Sequence, residues 1–256
     1  MNIPSLSPEI LFYLGSLPIS NAFFWSIVLS SIIIFIVLYI SFTKKEIPGR
    51  IQSLLELFLE GLYGFTNSVT QDKKRTRILF PLIAALFLFI FICNIFPFLP
   101  GQSALQIKTQ EGFVPIFRSV MSDYGMVLVL TLIAVIGIQI ATLAVNGPIG
   151  YLGKFINIKK VLKAKTIGDF AYGLLDVFLG LMEIVGEFAK VLSLSFRLFG
   201  NIFAGEVLTA VMLFLMPFFA PLPFLFLGLL SAIIQAFVFA TLTLVFINMG
   251  SEKIES

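Results

Sequence analysis

The sequence predicts an all-α integral membrane protein with about five membrane crossings plus one amphipathic helix, its two long, tilted carboxy-terminal helices forming an antiparallel hairpin. Three observations carry this expectation. Of 256 residues, 59% are apolar and 12% charged, with a mean hydropathy of +1.05, too few charges to cover a soluble globule of this size. Apolar runs of about 20 residues, the length that crosses the hydrocarbon layer as a helix, recur along the chain and end at Pro and Gly. Lys and Arg gather in short clusters between alternate runs, the asymmetry that marks the inner face of a membrane.

The same composition excludes much chemistry. A formal charge of +3 spread over such clusters is explained by topology and gives no case for nucleic acid. With no His and a single cysteine, Cys93, inside an apolar run, no disulfide framework, Cys/His metal site, Ser-His-Asp triad or Cys-His pair can be assembled. No cofactor and no metal are expected. One membrane domain over residues 1–256 is the natural organisation.

Taken in order, residues 1–21 hold Pro4, Pro8, Gly15 and Pro18 without Lys or Arg and suit a short irregular segment outside. The first span, 22–42, is too long for a signal-peptide core and is expected to remain in the membrane. Lys44, Lys45 and Arg50 then place its far end inside, with Pro48 and Gly49 marking a break. Over 51–69, Ile51, Leu54, Leu55, Phe58, Leu62 and Phe65 recur at helical spacing among Gln52, Ser53, Glu56, Glu60 and Asn67. That pattern predicts an amphipathic helix, either lying along the lipid surface or packed on other helices. Lys73, Lys74, Arg75 and Arg77 follow as an inner anchor.

The second span, 78–99, returns outside and stops at Pro97, Pro100 and Gly101. The polar segment 101–122 is long enough to fold back over the membrane domain. Asp123 opens the third span, 124–145, where it serves either as a helix N-cap or as a carboxylate at a water-filled vestibule. Asn146-Gly147-Pro148 ends that span, and Lys154, Lys159, Lys160, Lys163 and Lys165, with no acid among them, make the strongest inside signal.

The region 169–216 contains no proline, so one helix longer than a direct crossing requires is expected, tilted or bent. On it Asp176, Glu183, Glu187, Lys190, Arg197 and Asn201 follow at steps of 7, 4, 3, 7 and 4, which at about 100° per residue keeps them within an arc of roughly 80°. Glu187 and Lys190 stand at i,i+3 and suit a buried ion pair. Arg197 has no acid three or four residues away and cannot lose its charge, so its partner must come from another helix or another chain. Glu206 lies off the stripe by more than a right angle. Gly200 and Gly205 are expected at close helix approaches. Pro217, Pro221 and Pro223 make an outside turn, and the last span, 224–249, carries Ser231 and Gln235 on one face. Antiparallel to its predecessor, it can bring Gln235 near Arg197. These crossings put the amino terminus outside and the carboxy terminus inside.

The run Leu192-Ser193-Leu194-Ser195-Phe196-Arg197-Leu198-Phe199-Gly200-Asn201-Ile202-Phe203-Ala204-Gly205-Glu206, with Ile233 to Thr243 after it, resembles the subunit a family of F-type ATP synthases. The likeness extends along the whole chain, including the amphipathic helix with Pro48 and Gln52, and its form is that of bacterial members. It implies a proton-translocating stator subunit in a bacterial inner membrane, without a nucleotide site of its own. The partners it implies are a ring of small hairpin subunits, each with a mid-membrane carboxylate, a peripheral-stalk subunit, and indirectly a soluble ATPase sector. It further implies that Arg197 separates two offset half-channels, that Asn201, Glu206 and Gln235 line the path near it, and that Glu183 belongs to the opposite half-channel. Asp123, Glu187, Lys190 and Ser231 are candidate lining positions. Some members carry an ionisable residue seven positions before the glutamine, where this chain has Gly228. The competing expectation is a self-contained secondary transporter using the polar stripe 176–201, although no repeated halves are visible.

Overall fold

The computed structural model describes residues 9–14, 17–42, 49–98, 106–109, 112–115, 118–155, 167–216 and 219–250. Six helices dominate: α1 Asn21–Phe42, α2 Arg50–Thr70, α3 Lys73–Ile95, α4 Tyr124–Phe155, α5 Ile167–Leu215 and α6 Pro221–Gly250. All but α2 are long and apolar enough to cross a membrane, giving five candidate spans. Lys44, Lys45, Lys159, Lys160, Lys163 and Lys165, the breaks at Pro48, Pro100 and Pro217, and the tail after Gly250 lie outside the described residues.

The amino-terminal segment departs from the irregular form expected of it. Strand β1, Ile10–Leu14, pairs antiparallel with β2, Leu17–Ser20, and its Ile and aromatic residues account for the pairing. Ser20 then starts α1, its Oγ accepting the Phe23 N–H at 3.2 Å. Within α1 the hydroxyls of Ser26, Ser30 and Ser31 donate to carbonyls three or four residues back, at 2.7, 2.7 and 2.8 Å, so these three hydroxyls are satisfied by the helix itself.

Helix α2 is packed rather than merely surface-lying. Leu62, Thr66 and Thr70 are buried, and Phe58 meets Phe87 of α3 at 5.3 Å between ring centroids. Gln71 adopts a left-handed conformation (φ 54°) that closes α2, and Asp72 caps α3 by accepting the Lys74 N–H at 2.8 Å. That cap starts α3 at Lys73, drawing the basic cluster into its first turn; Asp72 lies 3.7 Å from Arg75 and offsets positive charge at a helix end that disfavours it.

Between α3 and α4 the chain forms a second hairpin, β3 Gln106–Thr109 with β4 Gly112–Pro115. It then buries a 3-10 turn, Val120–Ser122, against α1, α3, α4 and α5. The expected break at Asn146-Gly147-Pro148 is present: Gly147 has φ 69° and interrupts α4, a conformation open to glycine without a Cβ penalty.

Helix α5 has 49 residues, roughly 74 Å at 1.5 Å per residue, more than twice the hydrocarbon thickness, so it must lie steeply tilted. Helix α3 packs along α6, α4 along α5, and α5 along α6. The shared core is Ile83, Phe87 and Ile90 of α3, Val127, Ala134 and Ile138 of α4, Leu194, Leu198 and Ile202 of α5, and Ala232, Ala236, Phe239 and Leu244 of α6. Small residues on α6 let its backbone approach closely. At its end a Cβ on Gly250 would collide with Thr142 Oγ1 of α4, so a larger residue there requires α4 or α6 to shift.

Candidate functional site: the seam between α5 and α6

One row of α5, Leu194, Leu198 and Ile202, is buried at i,i+4 spacing. Arg197 stands one position off that row and is therefore turned out of the core, exposed beside Phe196, itself 56% exposed. Among the described residues no carboxylate forms an ion pair with it. Tyr124 at the start of α4 holds this part of α5 in place, stacking on Phe196 at 5.4 Å and meeting Phe199 edge-on at 5.6 Å.

Across the antiparallel pair Ser231 Oγ donates to Asn201 Oδ1 at 2.6 Å, which marks the register of the two helices at this level. One turn further from the interhelical connection on each helix stand Arg197 and Gln235, at the same level of the hairpin. Gln235 is only 7% exposed. Four of the site residues, Arg197, Asn201, Ser231 and Gln235, thus gather along one seam.

Toward the far end of α5 the stripe divides. Glu183 is half-buried, whereas Glu187 and Lys190 form a 2.8 Å ion pair. The other Glu187 oxygen, Oε2, accepts from Gln139 Nε2 of α4 at 2.6 Å, and Lys190 Nζ lies 5.1 Å from the centroid of the Phe246 ring of α6. The Asp176 side chain lies outside the described residues. The single polar face read from the sequence therefore meets two surroundings, a packed one at Glu187 and Lys190 and an open one at Arg197.

Toward the other end Glu206, partly buried, lies near Ser122 of the buried 3-10 turn and within electrostatic reach of Arg118, while the Ser122 hydroxyl itself donates to the Ser119 carbonyl at 3.1 Å. Asp123, 8% exposed, accepts the Gly125 N–H at 2.9 Å, the geometry of an N-cap. Gly228 has a steric counterpart: a Cβ there would fall 2.9 Å from Cε1 of Phe98, in the 3-10 turn Phe96–Phe98 that follows α3, so this ring fills the space a side chain would need. Gly200 and Gly205 depart from expectation, since a Cβ on either would meet no atom within 4 Å. They face open space beside Arg197 and Glu206, not a neighbouring helix of this chain.

Reading the sequence missed Gln139, Arg118, Ser122 and Asn94. Asn94 is fully buried, donates from Nδ2 to the Ala232 carbonyl at 3.3 Å and has no partner for Oδ1 among the described residues. A single amide inside an otherwise apolar run, as in Cys93-Asn94-Ile95 and Ile138-Gln139-Ile140, was the available signal.

Six packed helices, five of them of membrane-crossing length, with charged and amide side chains gathered between the last two, define a multi-pass integral membrane protein with a polar intramembrane seam. The family model described as ATP synthase A chain matches residues 23–248. The chain is 31% identical over 220 residues to the ATP synthase subunit a of Campylobacter concisus (strain 13826), covering 86% of this chain and 85% of that protein. It is 31% identical over 247 residues to the ATP synthase subunit a of Moorella thermoacetica (strain ATCC 39073 / JCM 9320), covering 94% of each. The chain belongs to the ATP synthase A chain family, and with it to the membrane-sector, proton-translocating components of ATP synthesis.

Proposed function

We propose that this chain is the stator half of a rotary proton path in a bacterial inner membrane, offering two offset half-channels to the carboxylates of a ring of hairpin subunits. Arg197 is the barrier between them. The observation that carries this reading is its placement: a permanent cation exposed on α5, with no ion pair among the described residues, level with buried Gln235 and one turn from the Asn201–Ser231 contact. A charge that cannot be discharged is stabilised at membrane depth only by an opposite charge or water. Gly200 and Gly205 keep the adjacent surface shallow, so a ring helix has room to approach.

An arginine and a carboxylate ~4 Å apart attract by about 4 kcal/mol at an effective dielectric of 20. A proton crossing 100 mV releases about 2.3 kcal/mol, so the pair must stay shallow enough to be exchanged at each step. In this scheme Glu206, with Asp123 and Ser231 as lining groups, serves the outer half-channel, and Glu183, with Glu187 and Lys190 bordering it, serves the inner one. Asn201 and Gln235 orient water or the incoming carboxylate at the seam. The whole chain acts as one membrane domain and carries no catalytic or nucleotide site. Its amino terminus lies outside and its carboxy terminus in the cytoplasm. A peripheral stalk holds it, and the soluble ATPase sector couples to it through the ring.

The test is Arg197→Ala in the assembled complex. ATP-driven proton pumping in inverted vesicles is expected to fall below detection while the chain still accumulates in the membrane, because Arg197 is exposed and forms no ion pair among the described residues. Pumping at the parental rate would overturn the reading.

A further inference from the structure

Four side chains from three helices close on one another in the inner half of the bundle. Glu187 of α5 gives one oxygen to Lys190 at 2.8 Å and the other to Gln139 of α4 at 2.6 Å, and the Lys190 ammonium lies over the Phe246 ring of α6 at 5.1 Å. The side chains of Lys190 and Glu187 are 21% and 14% exposed. Both carboxylate oxygens are used, and the cation is met by a carboxylate on one side and a ring face on another. The other charges on α5 are Asp169, Asp176, Glu183, Arg197 and Glu206; α4 carries none before Lys154 and α6 carries none at all. Glu183 and Lys190 are seven residues apart, two turns on the same face, or about 10 Å along the axis.

We infer that Glu187 is a charge-compensating residue: it cancels Lys190 beside the inner proton path and, through Gln139, ties that neutral pair to α4, so that among the described residues Arg197 is the cation of the seam left without an ion pair. The inference rests on the proposed function, because it concerns proton access at Glu183. An uncancelled ammonium about 10 Å from Glu183 repels an arriving proton, and an uncancelled carboxylate there attracts one. In a partly wet site either effect amounts to roughly half a pH unit. The two partners of the pair should therefore act with opposite sign, which a purely packing role would not produce.

The experiment uses the full complex in inverted membrane vesicles. Initial rates of ATP-driven acidification, normalised to uncoupled ATP hydrolysis, are followed from neutral into alkaline pH, where protons become scarce on the loading side. Glu187→Gln leaves Lys190 charged, and the half-point of the alkaline limb is expected to move down by about half a pH unit. Lys190→Met leaves the carboxylate, and the half-point is expected to move up by a similar amount. The Glu187→Gln/Lys190→Met double variant is expected to return to the parental half-point. Single variants that shift in the same direction, or not at all, would overturn the inference. If only one single variant accumulates, the sign of its shift decides. Accumulation of the double variant when neither single does supports compensation, and failure of the double variant to accumulate counts against it. Arg197→Ala in the same vesicles separates the two readings: if it pumps normally the proposed function fails, and if it is silent while both single variants keep the parental profile, the compensation alone fails.

Discussion

Arg197 and Lys190 are cations seven residues apart on one helix, yet their surroundings differ in kind. Lys190 is answered inside the chain, by Glu187 at 2.8 Å and the Phe246 ring at 5.1 Å, whereas Arg197 is turned outward. Removing Arg197 should therefore cost function and little stability. Gly228 illustrates the opposite dependence, because the Phe98 ring occupies the space its side chain would need. Gly228→Leu is expected to lower the thermal stability of the detergent-solubilised complex by overpacking, a loss on the order of 1–3 kcal/mol. Combining it with Phe98→Ala should recover most of that loss in the same melt. A double variant no better than Gly228→Leu alone would mean that the ring is not what confines this position. The Asn201–Ser231 contact is a smaller matter, since interhelical hydrogen bonds in membranes average only about 0.6 kcal/mol; its value is in holding the register at 2.6 Å.

At the scale of elements, the helix ends are specified by a few residues with identifiable roles. Asp72 both caps α3 and offsets the basic turn that follows, so Asp72→Ala is expected to destabilise the α2–α3 hairpin by about 1 kcal/mol, read as a lower midpoint in detergent melts. An unchanged midpoint would show that membrane insertion alone fixes the hairpin. Gly250 is more demanding, because a Cβ there would collide with Thr142 Oγ1. Gly250→Val should force α6 away from α4 and reduce accumulation of the chain in membranes, as measured by immunoblot against the parent. The amphipathic α2 was open from its sequence between lipid-surface and packed placement; the burial of Leu62, Thr66 and Thr70 and the Phe58–Phe87 contact decide for packing.

For the molecule as a whole, the proposed orientation rests on positive charge lying between alternate spans. It can be read directly, because Cys93 is the one cysteine and is fully buried. In a Cys93→Ala background, Tyr13→Cys, at a position 65% exposed in the amino-terminal hairpin, should react with a membrane-impermeant maleimide in intact spheroplasts. Arg77→Cys, exposed at the start of α3, should react only after permeabilisation. The reverse pattern would invert the proposed orientation.

Composition and patterning by themselves determined the class of the protein, because a bilayer allows few solutions: apolar runs about 20 residues long must be helices, and their flanking charges must sort by side. The periodicity of α5 likewise placed Glu187, Lys190, Arg197 and Asn201 on one side of one helix before any contact was known. Only the tertiary structure decided what each of them faces. Gln139 and Phe246 reach Glu187 and Lys190 from helices distant in the chain, Phe98 covers Gly228, and Gly200 and Gly205, which resemble helix-packing glycines in sequence, look onto open space. Helical period is a local property of the backbone, but the neighbour that meets each face depends on how the other helices are threaded beside it, and no spacing along a single segment encodes that.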